Sequence, residues 1–219
     1  MTSKRQHLLD AAEALFAERG YGNTQISEIA RVASTGISTF YRYFDSKEAL
    51  LAVLLEDLFG PMAHNLRDHR AGIEALSPPE QIARIRQTFD VVFDALLDRP
   101  KLVLTLFTSG FGASAAVSAM VERELDALAC DLVTDLERAE AYGLVVISDK
   151  LAFAKAIIGV FLHLAYDHLR TGVPTREAAI DSSVRMTLGG LVTFATPAAQ
   201  QTIVPMLRYL VETLRETDT

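Results

Sequence analysis

Residues 35–51 read TGISTFYRYFDSKEALL. Phe40 and Phe44 stand four apart in this stretch, one turn of helix, so both rings fall on one side of a short helix from about Ile37 to Tyr43. Just upstream, the pattern predicts another short helix from about Gln25 to Ala33, with Thr24 as its cap and Ile26, Ile29, Ala30 and Ala33 on one face. Ser34, Thr35 and Gly36 form a tight break between the two. Two short helices joined by three or four residues are the geometry that sets the second helix into a DNA major groove. The same pair also serves as a plain packing unit in helical proteins, so spacing alone leaves both readings open.

Outward from this pair the helical period continues. Leu8, Ala12, Leu15 and Phe16 make one apolar stripe over residues 3–19, which Gly20 and Gly22 stop. Asp45 and Ser46 cap a fourth helix that begins at Lys47, and Gly60-Pro61 should kink or break it. Pro78-Pro79 opens a fifth helix to about Asp98, and Pro100 opens a sixth that Gly110 and Gly112 end. A seventh runs from about Ala115 to Tyr142, an eighth from Asp149 to about Gly172, a ninth from Thr175 to about Ala195, and a tenth from Pro197 to about Glu216. No window alternates cleanly enough for a strand. The expected fold is therefore all-α: a three-helix head with a helix-turn-helix, followed by a C-terminal helical bundle, about ten helices in total.

The head resembles the tetracycline-repressor family of transcriptional regulators. The family signature is a small-residue turn, then T-[FL]-Y-x-[HY]-F and S-K-E-x-L, which residues 35–51 follow closely; FAERGY at 16–21 and TQISEIA at 24–30 match its first two helices. The resemblance covers about residues 5 to 55. It implies a DNA-binding domain over 1–47, a ligand-sensing and dimerisation domain over 48–219, and backbone contact for Thr39, Tyr41, Tyr43 and Lys47. The chemistry agrees: a phenol donates to phosphate while its ring packs on sugar or a thymine methyl, and an ammonium at a helix N-terminus suits phosphate. Thr24 and Ser27 read as further phosphate or groove contacts, or as simple caps. Thr35, Gly36, Ile37, Ser38 and Arg42 complete the candidate DNA-binding set. Two positions depart from the family pattern. Ser34 stands where glycine is frequent, which allows a left-handed conformation there at a modest cost; Ile37 replaces a residue that is often polar and base-facing, and reads either as a contact to a thymine methyl or as local packing.

Beyond the head, the resemblance implies a homodimer built on the eighth and ninth helices, which predicts a palindromic operator. Ala156, Gly159 and Gly189 allow close approach there, with Leu162, Leu188 and Leu191 as bulk; each also reads as core. Phe89, Phe93, Leu104, Phe107, Phe111, Met120, Phe161 and Tyr166 would suit the lining of a cavity for an apolar or aromatic effector, although each alone reads as packing. His163 and His168 are candidate polar anchors. The expected partners are thus duplex DNA, a small-molecule effector and a second copy, with no membrane, metal or cofactor.

Composition bounds the alternatives. Half of the 219 residues are apolar, so much apolar surface has to be covered. The longest apolar runs are interrupted by Lys155 and His163 or are too short for a bilayer. A single cysteine, Cys130, and an N-terminus without an apolar leader point to the cytoplasm. Net charge is −7, yet in the first fifty residues Lys4, Arg5, Arg19, Arg31, Arg42 and Lys47 balance Asp10, Glu13, Glu18, Glu28, Asp45 and Glu48. A neutral head on an acidic body suits a protein that meets phosphate at one end. An all-helical enzyme is the rival from another class. It finds no Gly-rich phosphate loop, no H-E-x-x-H, and a lone cysteine in an acidic stretch beside Asp131, a setting unsuited to a nucleophile. A sensor or adaptor without DNA binding is the third reading.

Overall fold

The computed structural model describes residues 3–73, 76–107 and 115–201. Its helices are α1 (Lys4–Arg19), α2 (Ile26–Val32), α3 (Ile37–Tyr43), α4 (Lys47–Arg70), α5 (Pro78–Leu97), α6 (Pro100–Thr105), α7 (Ala115–Ala141), α8 (Lys150–Thr171) and α9 (Arg176–Thr193). Helix resumes at 197–201; the rest of the expected tenth helix lies outside the described residues, as do Gly110, Phe111 and Gly112.

Local chemistry accounts for the boundaries. The Ser3 hydroxyl accepts from the Gln6 N–H and starts α1, and Gly20 ends it at φ 82°. Asp149 and Thr175 accept from the third residue beyond them and start α8 and α9; Gly172 closes α8 in the left-handed region. Two expectations are corrected. The N-cap of α2 is Gln25, whose backbone N–H donates to the Glu28 carboxylate at 3.1 Å, while Thr24 turns inward. α4 continues through Pro61 without a break. The proline removes one backbone donor, but Leu58, Phe59, Met62 and Leu66 are buried on both sides of it. Among the described residues the only extended pairing is an isolated bridge between Val145 and Ala195.

The chain divides into two compact units, residues 1–63 with 95–124, and 64–94 with 125–219. In the first, Leu8, Leu9, Leu15 and Phe16 of α1, Ile29 of α2, Phe40 of α3 and Leu50, Leu51 and Leu54 of α4 are all buried. α6 packs on α1, with Leu102 and Val103 buried and Arg99 paired to Glu13 at 2.8 Å. In the second unit α8 and α9 pack together, and Arg176 at the start of α9 holds Asp90 and Asp94 of α5 at 3.0 and 2.7 Å.

The α2–α3 turn depends on one backbone conformation. Ser34 sits at φ 53°, which lets the Thr35 N–H reach the Ala30 carbonyl at 2.8 Å and ends α2. A side chain there costs about 1–2 kcal/mol, partly offset by the extra entropy glycine loses on folding. Ser34→Gly is expected to stabilise the protein by up to about 1 kcal/mol and to raise the melting temperature by about 2–4 °C, whereas Ser34→Val lowers it; thermal denaturation followed by circular dichroism checks both.

Candidate nucleic-acid interface

Rotation of α3 about its axis is set by two aromatic rings. Phe40 and Phe44 are buried with centroids 5.7 Å apart, and Phe44 ends the helix with its N–H on the Phe40 carbonyl. With that side facing inward, the 3.6-residue period turns Ile37, Ser38, Tyr41 and Arg42 to solvent. Gly36 caps α3 and is itself exposed, and Thr39 is half-buried at the edge of the face. Arg42 lies over the Tyr43 ring, 5.0 Å from its centroid, and donates to the phenol oxygen at 3.3 Å. The pair presents a pre-arranged cation and a phenol on one edge. Ser27 is exposed on α2, whereas Thr35 is half-buried with its hydroxyl directed at the Ala30 carbonyl.

Two candidates have other duties. Thr24 is only 1 % exposed and its hydroxyl donates to the Gly20 carbonyl at 3.0 Å, so its side chain leaves the phosphate-contacting set. Lys47 reaches back across the head. Its ammonium donates to the Tyr21 carbonyl at 2.7 Å and the Thr24 carbonyl at 2.8 Å, and rests 4.2 Å from the centroid of the Tyr21 ring. Burial lowers its pKa, with Glu48 alongside opposing that shift. Burial also raises the pKa of the Tyr21 phenol, Glu48 acting in the same direction, so the ring under the ammonium stays neutral. Lys47 therefore ties the start of α4 to the loop between α1 and α2, two of its three donors being used inside the head.

A residue outside the expected set belongs to the same surface. Arg31 is exposed on α2, one turn beyond Ser27. The i, i+4 spacing from Ser27 was the available signal for it. Two of the acidic groups nearby are paired, Glu28 with Arg19 of the head and Glu13 with Arg99 at the start of α6, each at 2.8 Å. Among the described residues neither Arg31 nor Arg42 has an ion pair. The balanced formal charge of the head thus resolves in part into paired acids, Glu13, Glu18 and Glu28, and a face with two cations outside any ion pair.

The body candidates separate into several groups. Phe89, Phe93 and Phe161 come together, with Phe161 centred 5.2 Å from Phe89 and 5.6 Å from Phe93. Arg176 lies 5.9 Å from the Phe93 centroid, and the His168 ring packs on Phe93 with Nδ1 2.9 Å from the Pro174 carbonyl. Tyr166 is half-buried beside His163, which is exposed and adjoins Asp167. Leu104, Phe107 and Met120 belong to the other unit, and Phe111 is outside the described residues. Of the interface candidates, Ala156, Gly159 and Gly189 are exposed. Leu162 and Leu188 are buried within the subunit and supply core, while Leu191 is half-buried against the Leu136, Val145 and Ile147 cluster.

Residues 8–54 match the family model described as bacterial regulatory proteins, tetR family. The HTH-type transcriptional regulator YdgC of Bacillus subtilis (strain 168) is 28 % identical over 189 residues, 86 % of this chain and 92 % of that protein. The head of this chain is of the tetR-family type, that of a DNA-binding transcriptional regulator. The same fold recurs in a tetR-family protein from Syntrophomonas wolfei, at TM-score 0.74 and 22 % identity over 86 % of this chain and 95 % of that one. It recurs too in the regulator FadR from Bacillus subtilis, solved in complex with stearoyl-CoA, at TM-score 0.67 and 18 % identity over 83 % and 96 %. The relatives the chain matches are transcriptional regulators and not enzymes, which leaves the enzyme reading without support.

If Lys47 clamps the head, Lys47→Met should lower stability in the absence of DNA. Charged hydrogen bonds at a site partly open to water contribute about 1–2 kcal/mol here, a fall of about 2–8 °C in melting temperature. A thermal shift below 1 °C by the same melt would instead leave Lys47 as a phosphate contact alone.

Proposed function

We propose that this regulator is a homodimeric repressor that holds a palindromic operator and releases it when a small, largely apolar effector binds its body. The observation that carries the DNA face is α3, turned so that Ile37, Ser38, Tyr41 and the Arg42–Tyr43 pair stand in solvent above buried Phe40 and Phe44. Arg42, Tyr41, Tyr43, Thr39, Ser27 and Arg31 are the groups offered to phosphate, and Ile37 and Ser38 those offered to base edges. Residues 1–47 form the reading head and 48–219 the sensing and dimerising part. α4 belongs to both compact units and, being unbroken, is the connection by which one can bias the other.

The outward face of the α8–α9 pair supports the dimer. Leu151, Ala152, Ala156, Gly159 and Val160 on α8 and Met186 and Gly189 on α9 are exposed at helical spacing. Gly159 and Gly189 have open space where a side chain would be, so nothing inside the subunit requires glycine at either. Small residues without an internal reason for being small suit close approach of a second copy. α8 is also long and apolar enough to cross a membrane by length and composition. Its Lys155–Asp126 ion pair at 2.7 Å and its packing along α9 favour a water-exposed bundle, and the cytoplasm as its place. The Phe89–Phe93–Phe161 cluster, with Arg176 and His168 at its edge, is the apolar locus in the body where an effector would act.

Selection of bound duplexes from a random pool at near-physiological salt should enrich a palindrome; no enrichment by a folded dimer would leave a sensor with an idle head. Arg42→Ala should weaken binding similarly across sequences and reduce the slope of log K against log salt by about 1. Gly159→Trp should keep the helix content and shift the protein to monomer in analytical ultracentrifugation; an unchanged dimer would move the interface off this face.

A further inference from the structure

The first five residues of α3 carry hydroxyls but no amide or cationic side chain. Ile37 is its first residue and 48 % exposed, and Tyr41, one turn on, is 53 % exposed. Positions 37–41 are Ile, Ser, Thr, Phe and Tyr, with no Arg, Lys, Asn or Gln to make the paired hydrogen bonds that identify guanine or adenine. The one long donor of the helix, Arg42, is held against the Tyr43 ring. What the start of α3 carries into a major groove is therefore one aliphatic group beside hydroxyls, those of Ser38 and Tyr41.

We propose that each head identifies a thymine by its 5-methyl group, and that Ile37 is the residue that meets it. The inference rests on the DNA-binding reading given above. In B-form DNA the methyl of thymine is the apolar feature of the major-groove edge, so a branched aliphatic side chain at the start of a recognition helix gains by leaving water only there. Ile37 is suited to such a contact. Its β-branched side chain has few rotamers to lose, and the buried Phe40 and Phe44 fix the direction in which it projects. In a twofold dimer the same contact occurs in both half-sites, so the thymines lie at symmetry-related positions.

The test uses the intact protein and its selected operator, with each thymidine replaced in turn by deoxyuridine, a change of one methyl to hydrogen. One symmetric pair of positions should respond, with about fourfold weaker binding for one half-site and about fifteenfold for both. Ile37→Ala should weaken binding to the thymidine operator to the same degree and be indifferent to deoxyuridine at those positions, a non-additive cycle. A flat deoxyuridine scan with the parent protein, or losses that simply add, overturns the assignment of Ile37 while leaving DNA binding intact. A pool that yields no enriched sequence overturns the DNA reading itself, and this inference with it.

Discussion

Burial of Phe40 and Phe44 on one side of α3 is the constraint from which the functional surface follows. A seven-residue helix has little stability of its own, because nucleation consumes most of what so few hydrogen bonds return. The two rings therefore do two things at once. They hold the helix in place by removing apolar area from water, and they select one rotation among all those a short helix would sample. Every exposed residue of the recognition face is exposed because those two are not. The left-handed Ser34 and the cap at Gly36 act on the same problem from the other end, fixing where α3 begins.

Most of the fold was legible in the sequence because its punctuation is local. Ser3, Gly20, Gly36, Asp149, Gly172 and Thr175 act within one helical turn of themselves, and their effect can be read from composition and spacing. Pro61 misleads for the opposite reason: its local cost is real, but buried residues on either side outweigh it. Thr24 is a similar case. Its residue type suits a cap, while the inward position that commits it to the Gly20 carbonyl is set by the packing of α1 against α2.

Function was legible where side chains act at the surface and obscure where they act across it. Tyr41 and Arg42 are where periodicity places them. Lys47 is near the expected surface too, yet its ammonium is spent on carbonyls more than twenty residues earlier in the chain, a partnership no spacing rule announces. In the body, the large apolar residues Leu162 and Leu188 went to the subunit core and the small ones, Ala156 and Gly159, to the outside. Hydropathy orders these residues as the structure does, yet it does not say whether a buried leucine faces its own subunit or a twin, so a helix pair that buries one face and offers another cannot be sorted by hydropathy alone.

The seat of α6 on α1 carries a consequence for how such a protein can be taken apart. Leu102 and Val103 cover apolar surface of the first helix, and Arg99 answers Glu13 there, although some eighty residues separate the two segments. The reading head is thus not a detachable cassette. A chain cut after its first sixty residues would carry a bare hydrophobic strip and an unanswered carboxylate, and a head grafted onto a foreign body would inherit both unless the new body brought its own sixth helix. Recombination that keeps such regulators foldable has to exchange the head together with its distant cover, so that what looks like a module in the linear sequence behaves as half of one.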